Sequence, residues 1–176
     1  MALSFTPLSG RETTDIVSLL TDAYLPYREA HPLVYETWRL HWLEYQQMVD
    51  AYPESVGECG FYTCFNKEII GFASWDPRRF PCAEIGHTCI RRQWQGRGYG
   101  ILQLHEVLRR LQQQHFQRVT AATMEELFFL PAERMFLSCG FAEKRRFVGG
   151  EKRKARFIEY EMSLQNYGSQ PLEGNT

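Results

Sequence analysis

The chain has 176 residues, of which 44% are hydrophobic and 23% are charged, and its formal net charge at pH 7 is −1. This composition is typical of a globular domain and excludes an intrinsically disordered chain, while the small net charge excludes a whole-protein field that would attract nucleic acid or an anionic membrane. No stretch reaches the roughly 18 apolar residues of a membrane-spanning helix, and the N-terminus lacks a signal-peptide pattern, so we expect a soluble cytoplasmic protein.

The first part of the chain predicts one strand followed by two helices. Residues 3–8 form the candidate strand, and a helix with an apolar stripe follows from residue 13 or 14. Residues 24–32 contain two prolines and are predicted to be a loop. The second helix ends near Pro53. Its apolar face consists of Trp38, Trp42, Tyr45 and Val49.

The middle of the chain changes to the alternating pattern of strands. Residues 60–65 and 68–75 are rich in aromatic and β-branched side chains on either side of Asn66-Lys67, which predicts a tight hairpin. A basic loop is expected between Pro77 and Pro81. Residues 83–90 form the next predicted strand.

The last third predicts helices and strands in alternation. A helix follows the glycine-rich residues 95–100, and a strand covers residues 118–123. A second helix begins at Pro131 and stops at Gly140, which is the usual asymmetry of helix ends. Two final strands cover residues 141–148 and 156–164, around Gly149-Gly150. The apolar face of the helix that follows residues 95–100 consists of Ile101, Leu104, Leu108 and Leu111.

The predicted element order, β-αα-βββ-α-β-α-ββ, indicates a mixed α/β fold. No repeat or linker divides the chain, so we expect one domain over residues 1–165 and a flexible C-terminal tail over residues 166–176.

Cysteine and histidine usage gives no sign of a metal site. The chain has five cysteines in mostly apolar contexts, no CxxC pair, and no histidine at zinc-type spacing. We therefore expect reduced thiols that pack as small hydrophobic side chains, and no bound metal. The cysteines are Cys59, Cys64, Cys82, Cys89 and Cys139.

The glycine-rich turn is the clearest chemical signal in the sequence. Glycines allow a ligand to approach the backbone, and the free N–H groups of a first helical turn form an anion site suited to a pyrophosphate. The turn lacks the Gly-Lys-Ser/Thr of a Walker loop, and it comes too late in the chain for a dinucleotide-binding fingerprint. On these residues alone, a purely structural strand-to-helix turn stays open.

The surrounding residues resemble a known family. Ile90-Arg-Arg-Gln-Trp-Gln-Gly-Arg-Gly-Tyr-Gly100 resembles motif A of the GNAT N-acetyltransferase superfamily, and Ala132-Glu-Arg-Met-Phe-Leu-Ser-Cys-Gly-Phe141 resembles its later helix-to-strand segment. The resemblance covers roughly residues 60–164. It implies a GNAT fold, in which a mostly antiparallel central sheet, splayed between its fourth and fifth strands and flanked by helices, binds acetyl-CoA as the acetyl donor.

The resemblance also implies the cofactor-binding residues. The backbone of Cys89, Ile90 and Arg91 would hold the pantetheine arm, and an N–H group there could stabilise the oxyanion of the tetrahedral intermediate. The main-chain amides of the turn would hold the pyrophosphate. The turn residues are Gln95, Gly96, Arg97, Gly98, Tyr99 and Gly100.

The candidate general base also comes from the resemblance. Residues 83–90 resemble the fourth strand of the histone-acetyltransferase branch, in which the glutamate that matches Glu84 deprotonates the amine. A solvent-facing strand carboxylate, or one paired with an arginine, is the alternative for Glu84. Glu58 and His87 are the other candidate bases.

Two positions depart from the family pattern. Phe136 stands where many members carry a tyrosine that protonates the departing thiolate, and Phe129 replaces a common asparagine. Water or another residue must then protonate the thiolate, or the site binds acyl-CoA without turnover. A covalent route through Cys139 is disfavoured because a thiol at a helix end usually serves packing.

The acceptor side is predicted from the first two helices, which wall the acceptor pocket in this family. Tyr27, Glu29 and Trp38 would suit a cationic amine, although a core role for the aromatic residues and a solvated role for the glutamate stay open. The expected activity is N-acetylation of a primary amine on a small molecule or protein, in a ternary complex. The alternatives are a silent acyl-CoA sensor, or a toxin-like enzyme that modifies RNA or protein through the basic segments 144–146 and 152–156. We expect no membrane or nucleic-acid partner, and the sequence leaves open whether the protein forms a homodimer.

Overall fold

The computed structural model describes residues 2–9, 14–149, 154–165 and 167–168. Its seven strands form one sheet in the order β1-β2-β3-β4-β5-β7-β6. The strands are β1 (Leu3–Pro7), β2 (Gly60–Phe65), β3 (Glu68–Arg79), β4 (Cys82–Ile90), β5 (Arg118–Met124), β6 (Ala142–Gly149) and β7 (Ala155–Ser163). The helices are α1 (Thr14–Ala23), α2 (Leu25–Ala30), α3 (Pro32–Ala51), α4 (Tyr99–Gln113) and α5 (Leu130–Ser138).

The strand pairing confirms the expected mixed sheet. The β1–β2, β2–β3, β5–β7 and β6–β7 pairs are antiparallel, whereas β4 and β5 are parallel. The parallel ladder joins only Cys82 to Arg118, Ala83 to Val119 and Glu84 to Thr120, although β4 continues to Ile90. The parallel pairing therefore ends early on β4, as expected for the splay that the family resemblance predicts between the fourth and fifth strands.

The chain groups into two compact units, and β3, β4 and α4 each contribute residues to both. The first unit comprises Met1–Trp75 and Gly86–Leu104, and the second comprises Asp76–Ile85 and His105–Thr176. Within the described residues, no helix combines the length and apolarity that a bilayer crossing requires.

The core of the first unit lies where α1 and α3 pack against the strands. The α3 face predicted from the sequence is confirmed, since Trp42 and Val49 are buried and Trp38 and Tyr45 pack against the same cluster. The buried members of this cluster are Leu8, Ile16, Leu19, Leu20, Ala23, Tyr35, Trp42, Val49, Tyr62, Cys64, Phe72 and Cys89.

The core of the second unit centres on α5 and the last strands. The Phe136 ring lies 5.3 Å from the Phe141 ring and 5.7 Å from the Tyr160 ring, and all three side chains are buried. Gly140, at φ +94°, ends α5 as the sequence predicts.

The predicted hairpin turn is confirmed by its backbone. Asn66 and Lys67 have φ values of +49° and +74°, and the flanking residues Phe65 and Glu68 are paired. Two successive positive φ values are the geometry of the two-residue hairpin turn that matches strand twist.

Two expectations about proline-containing segments were wrong. Residues 24–32 are not a loop, because they contain α2 and the start of α3, and Pro26 and Pro32 occupy first turns where a missing N–H is tolerated. The basic segment after Pro77 is not a loop either, since β3 runs through Pro77 to Arg79.

Some predicted features cannot be compared with the structure. Gly150 and, in the predicted tail, residues 166 and 169–176 lie outside the described residues.

Candidate active site

The start of α4 is where the sequence predicts an anion site. Gly96 and Gly98 have φ values of +72° and +81°, in the region that glycine adopts without strain. The N–H of Leu102 donates to Gly98 O at 3.2 Å, which is the first hydrogen bond of the helix. The Gln95 N–H already donates to Arg92 O at 3.2 Å, whereas the amides of residues 96–101 have no acceptor within the helix.

The main chain is open beside these glycines. A Cβ atom added at Gly96 or Gly98 would meet nothing within 4 Å, so the main chain is open on that side. The positive end of the helix dipole lies at the same place. We call residues 95–100 the cradle.

Aromatic residues support the cradle from the sheet side. The Trp94 ring lies 5.1 Å from the Phe65 ring and 5.8 Å from the Tyr99 ring, and its Nε1 donates to Glu68 at 3.2 Å. The Arg97 guanidinium lies 5.1 Å from the Trp94 ring centroid, which places an exposed positive charge beside the amides.

Two polar contacts fix the chain that leads into the cradle. Asp22 accepts a hydrogen bond from the main-chain N–H of Arg92 at 2.7 Å. The side-chain amide of Gln95 donates to Ile90 O at 2.8 Å, so this side chain closes the end of β4. The cradle is therefore held independently of any ligand.

The end of β4 shows which backbone groups of the predicted pantetheine segment are already used. The Arg91 N–H donates to Ile70 O at 2.7 Å, and its Nε donates to Ile69 O at 3.1 Å. Burial raises the pKa of the Cys89 thiol to about 12, so this cysteine is a neutral core group. A main-chain hydrogen bond between Arg91 and a ligand must therefore use the Arg91 carbonyl group as the acceptor.

A polar cluster that the sequence did not predict lies further back on β4. Ser74 Oγ accepts the main-chain N–H of His87 at 2.9 Å and lies 3.2 Å from His87 Nδ1. The Tyr45 ring lies 4.6 Å from the His87 ring. Burial lowers the pKa of His87 to about 4 and raises that of Tyr45 to about 12, so both are uncharged near neutral pH.

Comparison with known proteins identifies the family. The sequence profile described as the Acetyltransferase (GNAT) family matches residues 15–141. The chain belongs to the GNAT family of acetyltransferases. A sequence search of curated proteins finds no match.

Solved GNAT structures share the fold of this chain at low sequence identity. A GNAT family acetyltransferase from Elizabethkingia anophelis with acetyl-CoA bound has a TM-score of 0.63 and 18% identity, over 92% of this chain and 97% of that one. The ribosomal-protein-S18-alanine N-acetyltransferase from Escherichia coli gives 0.62 and 16%, over 93% and 94%. A chain of the NatC complex bound to Gag peptide and CoA gives 0.65 and 16%, over 94% and 100%.

Glu84, the expected base of this GNAT protein, lies in the second unit. Its side chain is 46% exposed, and its Oε2 lies 3.8 Å from Arg79 Nη1, which is itself largely exposed. Such an exposed pair is weak. The surroundings of Glu84 thus match the alternative expected from the sequence, a solvent-facing strand carboxylate beside an arginine.

Phe136, which departs from the GNAT pattern, lies in the aromatic core described above and is 2% exposed. Burial raises the pKa of the Cys139 thiol, so Cys139 is a poor nucleophile.

The expected acceptor residues are placed in different environments. Tyr27 is 2% exposed and stacks on Trp38, with ring centroids 4.8 Å apart and an interplanar angle of 17°. Glu29 is exposed. The stacked pair of Tyr27 and Trp38 thus contributes to the packing of α2 against α3.

The basic strand β6 is matched by carboxylates on its own unit. Lys144 pairs with Glu161 at 2.7 Å and Arg145 with Glu159 at 2.6 Å, while Arg146 pairs with Glu125 at 2.6 Å. The predicted basic segment 152–156 is described only from Lys154, and Lys152 and Arg153 lie outside the described residues.

No group of three or more metal-ligating side chains occurs in the part of the chain that the structure describes.

The sequence analysis also predicted the buried face of α4 incorrectly at one position. Ile101, expected on the buried face of α4, is 39% exposed, whereas Gln103 is fully buried.

Proposed function

We propose that this GNAT protein is an N-acetyltransferase that moves the acetyl group of acetyl-CoA to a primary amine of a small molecule or a protein. The observation that carries the proposal is the cradle. Its open glycines and free amides at the start of α4 offer the donors that a coenzyme A diphosphate needs. We further propose that the enzyme works in the cytoplasm, where its cysteines stay reduced.

The proposed reaction is a direct attack in a ternary complex. The amine nitrogen forms a bond to the thioester carbonyl carbon, and the carbon–sulfur bond breaks. The amine loses one proton, for which Glu84 is the base that the family resemblance implies, directly or through water. The thiolate of CoA takes a proton from water, since Phe136 offers none.

The proposed donor contacts follow the chain order of the motif. The amides of residues 96–100 would bind the pyrophosphate, with Arg97 adding positive charge. The backbone of residues 89–91 would bind the pantetheine arm, and a free N–H in this segment would stabilise the oxyanion that develops during attack.

An amine acceptor is supported by the kinds of protein that share the fold. One such protein acetylates the alanine of a ribosomal protein, and another is bound to a peptide and CoA. Both are only 16% identical to this chain, so they support the class of acceptor and not its identity.

The experiment is a thiol-release assay with acetyl-CoA and a panel of amines that includes polyamines, amino acids, aminoglycosides and peptides with free N-termini. We expect CoA release above the hydrolysis rate with at least one amine, and a matching acetylated product by mass spectrometry. Binding of acetyl-CoA with no release for any amine would instead support an acyl-CoA sensor, the alternative that Phe136 permits.

A further inference from the structure

The imidazole of His87 is held in one orientation by β3 and its own strand. Ser74 Oγ accepts the His87 main-chain N–H at 2.9 Å and lies 3.2 Å from Nδ1. One hydroxyl thus fixes both the backbone and the near side of the ring. The other ring nitrogen, Nε2, points away from this contact.

Aromatic rings limit the remaining freedom of the imidazole. The Tyr45 ring on α3 lies 4.6 Å from it, and the Phe72 ring on β3 lies 5.9 Å from it at an interplanar angle of 28°. His87 therefore presents Nε2 from a site that is rigid before any substrate binds.

The Nε2 atom has no hydrogen-bond partner among the described residues, and the His87 side chain is only partly buried. Tyr45 Oη, by contrast, is fully buried and lacks a hydrogen-bond partner in the described part of the chain. Ser74 lies close enough to moderate the pKa of Tyr45, but the two hydroxyl groups make no hydrogen bond of standard geometry.

The charge around His87 suits a cationic guest. Burial keeps the imidazole neutral near pH 7, and the titratable neighbours Tyr45 on α3, Cys59 beside Tyr45, and Cys89 on β4 carry no positive charge. In the tautomer whose Nδ1–H donates to the second lone pair of Ser74 Oγ, the neutral imidazole accepts a hydrogen bond at Nε2 from an ammonium or amine without electrostatic repulsion.

We propose that His87 is a substrate-binding residue whose Nε2 accepts a hydrogen bond from the acceptor amine and orients its lone pair for attack. The inference rests on the proposed function. Its strand continues into the residues proposed to hold the pantetheine arm, and Tyr45 belongs to the helix that the resemblance assigns to the acceptor wall. The proton of the amine goes elsewhere, to Glu84 or water, because the imidazole binds protons weakly.

The test compares two amide substitutions at one position. His87→Asn keeps a polar group near the Nδ1 position, facing Ser74, but has nothing at the Nε2 position. His87→Gln places an amide near the Nε2 position. We expect His87→Asn to raise the KM for the acceptor about 10- to 100-fold and His87→Gln to recover part of that loss. In both variants, the affinity for acetyl-CoA, measured by calorimetry, should stay within about twofold of the wild-type value.

A spectroscopic readout separates binding from mere support of the fold. In protein labelled with ¹⁵N-histidine, addition of an acetylated amine should shift the Nε2 resonance of His87 and leave its Nδ1 resonance nearly unchanged. His41→Asn, at an exposed histidine on α3, is the matched control and should leave the acceptor KM unchanged.

The outcomes are distinguishable. If wild-type protein acetylates an amine and His87→Asn has the wild-type KM, or Nε2 does not respond to the amine, this inference is wrong while the proposed function stands. If wild-type protein acetylates no amine, both are overturned.

Discussion

The side-chain amide of Gln103 on α4 donates to Thr88 Oγ1 on β4 at 2.8 Å, and Gln103 is fully buried. The carbonyl of the same side chain accepts the hydroxyl of Thr63 on β2 at 2.6 Å. Both ends of one buried amide are therefore used to fix the first turns of α4 on two strands. These hydrogen bonds also help to fix the position of the cradle, because the cradle leads directly into α4.

Replacing this amide by an apolar side chain should destabilise the protein. Gln103→Leu removes two hydrogen bonds and leaves the buried Thr63 hydroxyl without its acceptor, so we expect the free energy of unfolding to fall by about 2–3 kcal/mol. Urea unfolding measures the change. Gln113→Leu, at an exposed position of the same helix, is the control. A loss at Gln103 no larger than that of the control would contradict the role of the contact.

The buried amide also shows what the α4 pattern could and could not predict. Leu104, Leu108 and Leu111 are buried as their spacing predicts, but Ile101 is exposed and Gln103 takes the inward position. Hydropathy assigns a glutamine to the surface. Its burial depends on partners from β2 and β4 that lie 40 and 15 residues away in sequence. No local pattern contains that information.

Neutralising the proposed base should lower turnover without affecting donor binding. Glu84→Gln keeps the shape of the side chain but cannot take a proton, so we expect kcat to fall about 10²- to 10⁴-fold near neutral pH, with acetyl-CoA affinity unchanged. Steady-state kinetics and calorimetry measure the two quantities. Glu161→Gln, another ion-paired strand carboxylate, should be nearly silent. Wild-type kcat in Glu84→Gln across pH would remove Glu84 from the mechanism.

The low pKa of His87 should appear in the pH dependence of stability. Burial lowers this pKa from 6.5 to about 4, so the unfolded chain binds more protons between these values. The contribution of His87 to the free energy of unfolding is therefore at its maximum above pH 6.5, and it is lost as the pH falls toward 4. We expect wild-type protein to lose about 2 kcal/mol more than His87→Gln between pH 7 and pH 4.5. Parallel urea melts would contradict this if both proteins lost the same amount.

The charges of β6 should not make the protein an RNA binder. Lys144, Arg145 and Arg146 already face carboxylates of their own unit, which reduces the positive potential they present. We expect no salt-dependent affinity for a structured RNA in filter binding at about 50 mM salt. Binding whose affinity falls steeply with added salt would contradict this and favour an RNA-modifying enzyme.

The candidate site likewise contains one part whose residues are consecutive in sequence and another whose residues are far apart in sequence. The cradle could be predicted because its glycines, its helix start and its arginine are consecutive in sequence. The cluster of Tyr45, Ser74 and His87 could not, because it joins α3, β3 and β4 through side chains that have no spacing rule. The helix α2 was missed because Pro26 was interpreted as a break and not as a first-turn residue.

The central claim is that main-chain amides of the cradle bind the diphosphate of coenzyme A, and calorimetric titration of acetyl-CoA tests it most directly. Gly98→Val should fill the open side of the backbone and weaken binding more than about 100-fold, since several charge-assisted hydrogen bonds are lost. Gly168→Val is the matched control, because Gly168 also has a positive φ, +80°, and open space beside it. The account predicts wild-type affinity for Gly168→Val and near-complete loss for Gly98→Val. A folded Gly98→Val protein that binds acetyl-CoA as tightly as wild type would contradict it.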